Sequence, residues 1–156
     1  MPEHSAEQRL KELGLQLPPP PKPVATYVPT VRVGNLLYVS GHGPLRPDGT
    51  LVEGKVGADL TVEQAQEAAR LVGLAILASV RNALGSLDRV QRLVKSFGMV
   101  NATPDFRDHP EVINGYSDLM AAVFGPEAGI GARSAVGMGS LPRNIPVEIE
   151  AVFEVK

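Results

Sequence analysis

Few residues in this chain have side chains suited to chemistry, and their spacing narrows what they could do. In the run Arg133, Ala135, Gly137, Gly139, an arginine alternates with three small residues, and in an extended strand these share one face. Small neighbours leave a hollow with a cation at its edge, and a planar guanidinium can give a carboxylate two parallel hydrogen bonds. Farther on, Val147–Val155 alternates strictly: Val147, Ile149, Ala151, Phe153 and Val155 fall on one face, and Glu148, Glu150 and Glu154 on the other. Two roles are therefore open to Arg133. It could hold the carboxylate of a small ligand, or it could pair across the sheet with one of these glutamates.

Histidine offers a second chemistry. His42 lies in Ser40-Gly41-His42-Gly43-Pro44, where an imidazole could move a proton near neutral pH or simply be hydrogen-bonded within a loop. His4 and His109 are scattered away from it, His109 at a helix start where a polar cap is ordinary. With no cysteine anywhere, the sequence predicts no metal site, no disulfide and no thiol nucleophile. Gly41-His42-Gly43 is too short to cradle a phosphate.

These residues are carried by a chain of 156 residues with net charge −2, the size of one domain. The balanced charge and 4% aromatic content argue against a basic, base-stacking nucleic-acid surface or an anionic-membrane surface. The apolar run Leu71–Val80 is half a membrane span, and the charged N-terminus cannot act as a signal peptide. The expectation is a cytoplasmic protein with neither membrane nor nucleic acid as partner.

Proline and glycine mark the elements. Ser5 can cap a short helix over 5–13 that Gly14 ends. Six prolines between Pro18 and Pro29, four of them consecutive, predict an extended polyproline connector strapping that helix over the domain, with a ligand for a proline-reading module as the other option. Residues 1–23 are thus an extension and 24–156 the domain proper. Thr30–Val39 reads as a hairpin turning at Gly34-Asn35. Thr61 and Gln64 form a capping box for a long helix ending at Gly85, with Ala65, Ala68, Ala69, Val72, Ile76, Val80 and Ala83 inward. A strand over 93–100 and a helix over 110–124 stopped by Gly125-Pro126 follow. Strands over 132–140 and 147–155 close the chain. The order ββ–α–β–α–ββ predicts an α+β fold, a mixed sheet with two helices on one face.

The stretches Gly131-Ala132-Arg133-Ser134-Ala135-Val136, Ser140-Leu141-Pro142 and Val147-Glu148-Ile149-Glu150-Ala151 resemble the C-terminal signature of the YjgF/RidA family of imine deaminases. Tyr27, Val33–Gly41 and Pro44 resemble that family's opening, and Asn114 matches a further family position. The resemblance covers essentially 24–156. It implies a chorismate-mutase-like subunit and a homotrimer with a barrel-like core and ligand clefts between subunits. It also implies cofactor-free hydrolysis of a 2-imino or enamine acid to a 2-keto acid and ammonium.

Residue by residue, the resemblance gives Arg133 the substrate carboxylate and Glu148 the positioning or activation of water. Tyr27, Ser40 and Asn114 would line or support the cleft. Ala135 stands where many members carry cysteine and His42 where glutamine is common, so both would alter the cleft wall. Two other functions are compatible with the fold: a non-catalytic protein that binds a small carboxylate, and an RNA-cleaving or translation-inhibiting protein, which the flat charge disfavours. If 132–140 and 147–155 form a hairpin centred near Arg143, Arg133 and Glu148 lie about five residues apart, roughly 16 Å at ~3.3 Å per residue. An arginine cannot bridge that distance. The expectation is a site assembled from two subunits, with Tyr27 contributed across the interface.

Overall fold

A computed structural model describes residues 5–156; His4 lies outside the described residues. The elements follow the expected order. They are α1 (Ala6–Glu12), β1 (Thr30–Val33), β2 (Leu36–His42), α2 (Val62–Leu84), β3 (Val90–Asn101), α3 (His109–Ala128), β4 (Ala132–Met138) and β5 (Val147–Val155). The five strands form one sheet in the order β1-β2-β5-β3-β4, and α2 and α3 cover one face. Among the described residues no helix is long and apolar enough to cross a membrane.

The local signals acted as their chemistry requires. Thr61 and Gln64 form the reciprocal capping box, and Gly85 closes α2 in the left-handed conformation. The alanine-rich stripe of α2 is buried, although Ala83 is exposed and Leu84 takes the inward place. In α3, Gly125 adopts φ +91° and breaks the helix, and a further short turn runs on through Pro126. The predicted stop is thus a kink. The strand after α2 is longer than the apolar run 93–100, because Val90 and Arg92 also pair with β5 and Asn101 with Met138 of β4.

One expectation is corrected. The last two strands do not form a hairpin: β4 pairs parallel with β3 at the sheet edge, and β5 lies between β2 and β3, antiparallel to both. The reason is burial. Val147, Ile149, Ala151, Phe153 and Val155 are all buried, so β5 gains most in the centre of the sheet, against both helices. β4, whose residues Ala132, Ser134, Ala135 and Gly137 are small, loses least at an edge. The unit β3–α3–β4 is a crossover, the connection that a parallel pair needs.

The turn 141–146 that carries the chain across β3 is held from beneath. Buried Asn101 donates through Nδ2 to Asn144 Oδ1 (3.1 Å) and the Ile145 carbonyl (3.2 Å). Its Oδ1 accepts from Lys55 Nζ at 2.8 Å. These bonds support Arg143 and Asn144 at φ +56° and +57°, a left-handed pair that costs of order 1–3 kcal/mol per residue without such support.

The N-terminal extension is built into this frame. Leu10 is buried, and the Glu7 carboxylate accepts from Arg81 Nε (3.0 Å), from Arg81 Nη2 and from the Leu87 amide (2.9 Å). The Arg81 guanidinium holds the Glu7 carboxyl below its usual range. Leu15 and Leu17 pack against the core.

Candidate functional site

A large cleft, about 1090 Å³, opens beside the β2–β5 pairing. Its geometry starts from an irregularity. Val39 pairs with Ala151 and His42 with Ile149, so Ser40 and Gly41 together oppose the single residue Glu150. An extra residue of this kind bends a strand and re-aims its side chains, and such bulges recur beside functional sites. Here it turns Ser40 and Gly41 toward the cleft.

Glu148 occupies the space that Gly41 leaves. A β-carbon on Gly41 would run into Glu148 Oε2, so only glycine allows the carboxylate to lie there without a shift. Glu148 is half-buried, and burial, seconded by the Glu150 charge, pushes its carboxyl above the usual range. Ser40 and Tyr27 line the same cleft. Ser40 Oγ donates to the Val28 carbonyl at 2.6 Å and Ser40 N to the Pro29 carbonyl at 2.9 Å, which ties the segment carrying Tyr27 to the bulge.

His42 sits at the base of this cleft, with its ring committed away from any ligand. It is 6% exposed. Nδ1 lies 2.6 Å from the Ser40 carbonyl and Nε2 2.7 Å from Ser79 Oγ on α2. A carbonyl only accepts, so Nδ1 carries the proton and Nε2 accepts from the serine. Burial keeps the imidazole pKa below its ordinary value, which favours this neutral form. Simple alternation would set His42 beside Ser40 on the outer face, but the bulge reverses its side. Gly41, inside a β-rich run, was the available signal.

Arg133 is elsewhere. It pairs with Ser96, whose hydroxyl is bonded to Tyr116 OH on α3 (2.8 Å), so Arg133 faces the helices while Glu148 faces away from them. Its Nη1 donates to Ser117 Oγ (3.1 Å) and its Nη2 to the Pro110 carbonyl (3.3 Å). Among the described residues it has no acidic partner, so pairing with the strand's glutamates does not occur. Asn114 lies on α3 between those two anchors, one turn before Ser117. Ala135 is next on the same face of β4. His109, whose ring packs edge-to-face on Phe106 with centroids 5.1 Å apart, lies over Gly137; sequence reading gave it only a capping role.

The structure therefore brings together Tyr27, Ser40 and Glu148, with His42 beneath, and separately Arg133, Asn114 and Ala135. Two strand spacings and three residues of rise separate Arg133 from Glu148, on the order of 14 Å along the sheet, and their side chains leave opposite faces. Among the described residues no three His, Asp or Glu side chains gather as a metal site.

Comparison with known proteins places these features in a wider group. A family model described as YjgF/chorismate_mutase-like, with an endoribonuclease label, matches residues 7–149. Protein TCP17 of Trypanosoma cruzi is 43% identical, over 94% of this chain and 91% of its own. A 2-iminobutanoate/2-iminopropanoate deaminase of Dermatophagoides farinae is 27% identical, over 91% of this chain and 95% of its own. The crystal structure of Atu1372 from Agrobacterium tumefaciens, a protein of unknown function, superposes with a TM-score of 0.86 at 47% identity, covering 96% of this chain and 91% of that one.

Proposed function

Because the chain belongs to the YjgF/chorismate-mutase-like family that includes the RidA proteins, we propose that it hydrolyses 2-imino acids to 2-keto acids and ammonium in a cleft shared by two subunits. The observation that carries this reading is the split site. One side of the sheet holds a half-buried carboxyl in a large cleft, and the opposite side holds, at the open edge β4, a guanidinium that among the described residues is bonded to neutral oxygens alone. Each half lacks what the other supplies, and one chain cannot join them.

In the proposed reaction the guanidinium fork of Arg133 holds the substrate carboxylate, steadied by Ser117 and the Pro110 carbonyl, with Asn114 beside it. Glu148 of the adjoining subunit takes a proton from water as the water oxygen bonds to C2 of the iminium, whose π electrons move to nitrogen. The carboxyl then returns the proton to that nitrogen, the C2–N bond breaks with its electron pair leaving on ammonia, and the hydroxyl proton passes by way of the Glu148 carboxylate to the ammonia, which leaves the ketone and ammonium. Overall R–C(=NH2+)–COO⁻ and H2O become R–CO–COO⁻ and NH4+. A carboxyl raised by burial suits this two-way role, since acid–base catalysis is most effective when the pKa nears the working pH. Much of the remaining barrier is orientational.

A homotrimer follows as part of the proposal. β4 leaves one edge unpaired, and the sheet face opposite the helices exposes Val31, Val33, Tyr38 and Val136, a surface that subunit packing would cover.

Steady-state hydrolysis of imines generated in situ by an amino-acid oxidase tests the reading. Arg133→Ala should abolish detectable turnover while leaving Tm nearly unchanged. Arg133→Lys, which keeps the charge and loses the fork, should lose about 1.5–3 kcal/mol of substrate interaction. Full activity in Arg133→Ala would overturn the assignment. Ligand binding without turnover in the wild type would point to a carboxylate-binding protein.

A further inference from the structure

The extension does more than cover the domain. Pro18–Pro21 and Val24 line the same cleft as Glu148, Ser40 and Tyr27. Both ends of this strap are fixed: at one end by α1, through buried Leu10 and the Glu7–Arg81 pair, and at the other by Ser40, whose two bonds reach Val28 and Pro29. Between these anchors four consecutive prolines form a stiff segment. It presents ring methylenes and no N–H donor.

Aliphatic side chains line the cleft as well. Leu45, Leu51 and Ile145 belong to its lining, and Ile145 and Leu51 crowd the backbone at Gly43, with methyl carbons 3.2 and 3.4 Å from where a β-carbon would lie. Of the charged groups that line the cleft, Arg46 is engaged by Thr50 Oγ1 and the Leu51 carbonyl, and Asp48 by the Thr50 amide and hydroxyl; Lys22, Arg143 and Glu150 line it as well. Where the lining is made of the four prolines and these aliphatic side chains, it offers a polar side chain no N–H donor. It rewards an apolar one.

We infer that the proline strap is a specificity-determining wall of the site, selecting 2-imino acids whose side chain is apolar and larger than methyl. The inference rests on the deaminase reading for its substrate, and deepens it. The strap acts on the side chain, leaving the carboxylate to Arg133 and the imine carbon to Glu148.

Leucine and asparagine have side chains of nearly equal shape and opposite polarity, so their imines isolate the effect. Wild-type protein should hydrolyse the leucine-derived imine with kcat/KM at least tenfold above those of the asparagine- and alanine-derived imines, a ratio in the ~10–200-fold range a single apolar contact supplies. The double substitution Pro19→Gly/Pro20→Gly, which loosens the wall and leaves α1 in place, should bring that ratio most of the way to one. Val24→Asn, which puts an amide in the wall without loosening the prolines, should narrow the leucine-to-asparagine ratio specifically. Calorimetric binding of the stable 2-keto acids corresponding to leucine and alanine reads the same wall without catalysis.

Equal hydrolysis of all three imines overturns the inference and leaves the deaminase reading standing. Tighter binding of the leucine-derived keto acid, lost in the strap variants, with no turnover of any imine supports the wall and overturns the deaminase reading. No turnover together with equal or absent binding overturns both.

Discussion

At the scale of single residues, the informative fact about Glu148 is that its position opposes its charge. Burial raises its carboxyl pKa, so the folded state binds that proton more tightly than the unfolded chain does. The favourable contribution is complete below the ordinary carboxylate value of 4.5 and is lost as the pH rises through the higher folded value. Glu148→Gln should therefore raise Tm relative to wild type at pH 7, with the gain shrinking toward zero near pH 4, while imine hydrolysis falls at least a hundredfold, the ~10²–10⁴ typical of a general acid–base group. Scanning calorimetry at the two pH values, with the assay beside it, checks both halves. A variant less stable than wild type at pH 7 would make Glu148 a structural group. The residues around it differ in how legible they were. The strict alternation of 147–155 set Glu148 on the outer face from the sequence alone. His42 was hidden, because a bulge reverses side-chain parity and only Gly41 hints at it.

At the scale of elements, the turn 141–146 shows how a buried amide holds a strained segment. Asn101 is 1% exposed and ties Lys55, Asn144 and Ile145 together. Asn101→Ala leaves the buried Ile145 carbonyl without its donor and takes one partner from half-buried Lys55 and exposed Asn144, and an unsatisfied buried group costs about 1–3 kcal/mol. Urea unfolding should show a loss of about 1–3 kcal/mol. A loss under 0.5 kcal/mol, the size of an ordinary surface substitution, would mean that the turn keeps its shape unaided. Helices and turns were legible because their signals are local: a capping box, Gly34-Asn35, an alanine stripe. The neighbours of β4 and β5 were not, since strand order depends on contacts between distant segments. The helix between β3 and β4 did carry a cue, because a strand–helix–strand unit is the ordinary route to a parallel pair.

At the scale of the whole molecule, the proposed reading joins the opposed half-sites across subunits. Sedimentation equilibrium at micromolar concentration should give a trimer, and a monomer there would count decisively against a shared cleft. Mixing an Arg133→Ala chain with a Tyr27→Phe or Glu148→Gln chain, under conditions that exchange subunits, should restore part of the activity that each variant lacks. If mass spectrometry shows exchange and nothing is regained, the site lies within one chain. The outer sheet face was legible only as a surface that needs cover; sequence alone does not fix what lies against it.

The place of β5 has a consequence for the order in which the molecule can form. On one side of it stand β1 and β2, synthesised first; on the other stand β3 and β4, synthesised after α2. No strand of the first pair bonds to a strand of the second except through β5. While the chain leaves the ribosome it can build a hairpin and a crossover unit, yet these stay two separate fragments with facing unpaired edges. They join only when residues 147–155 emerge and slide between them. Those exposed edges make the nascent chain prone to aggregate, and the sheet should appear late and in one step. A chain shortened to end at residue 146 should therefore show helix by circular dichroism and no cooperative unfolding transition. Adding a synthetic 147–156 peptide in trans should restore one.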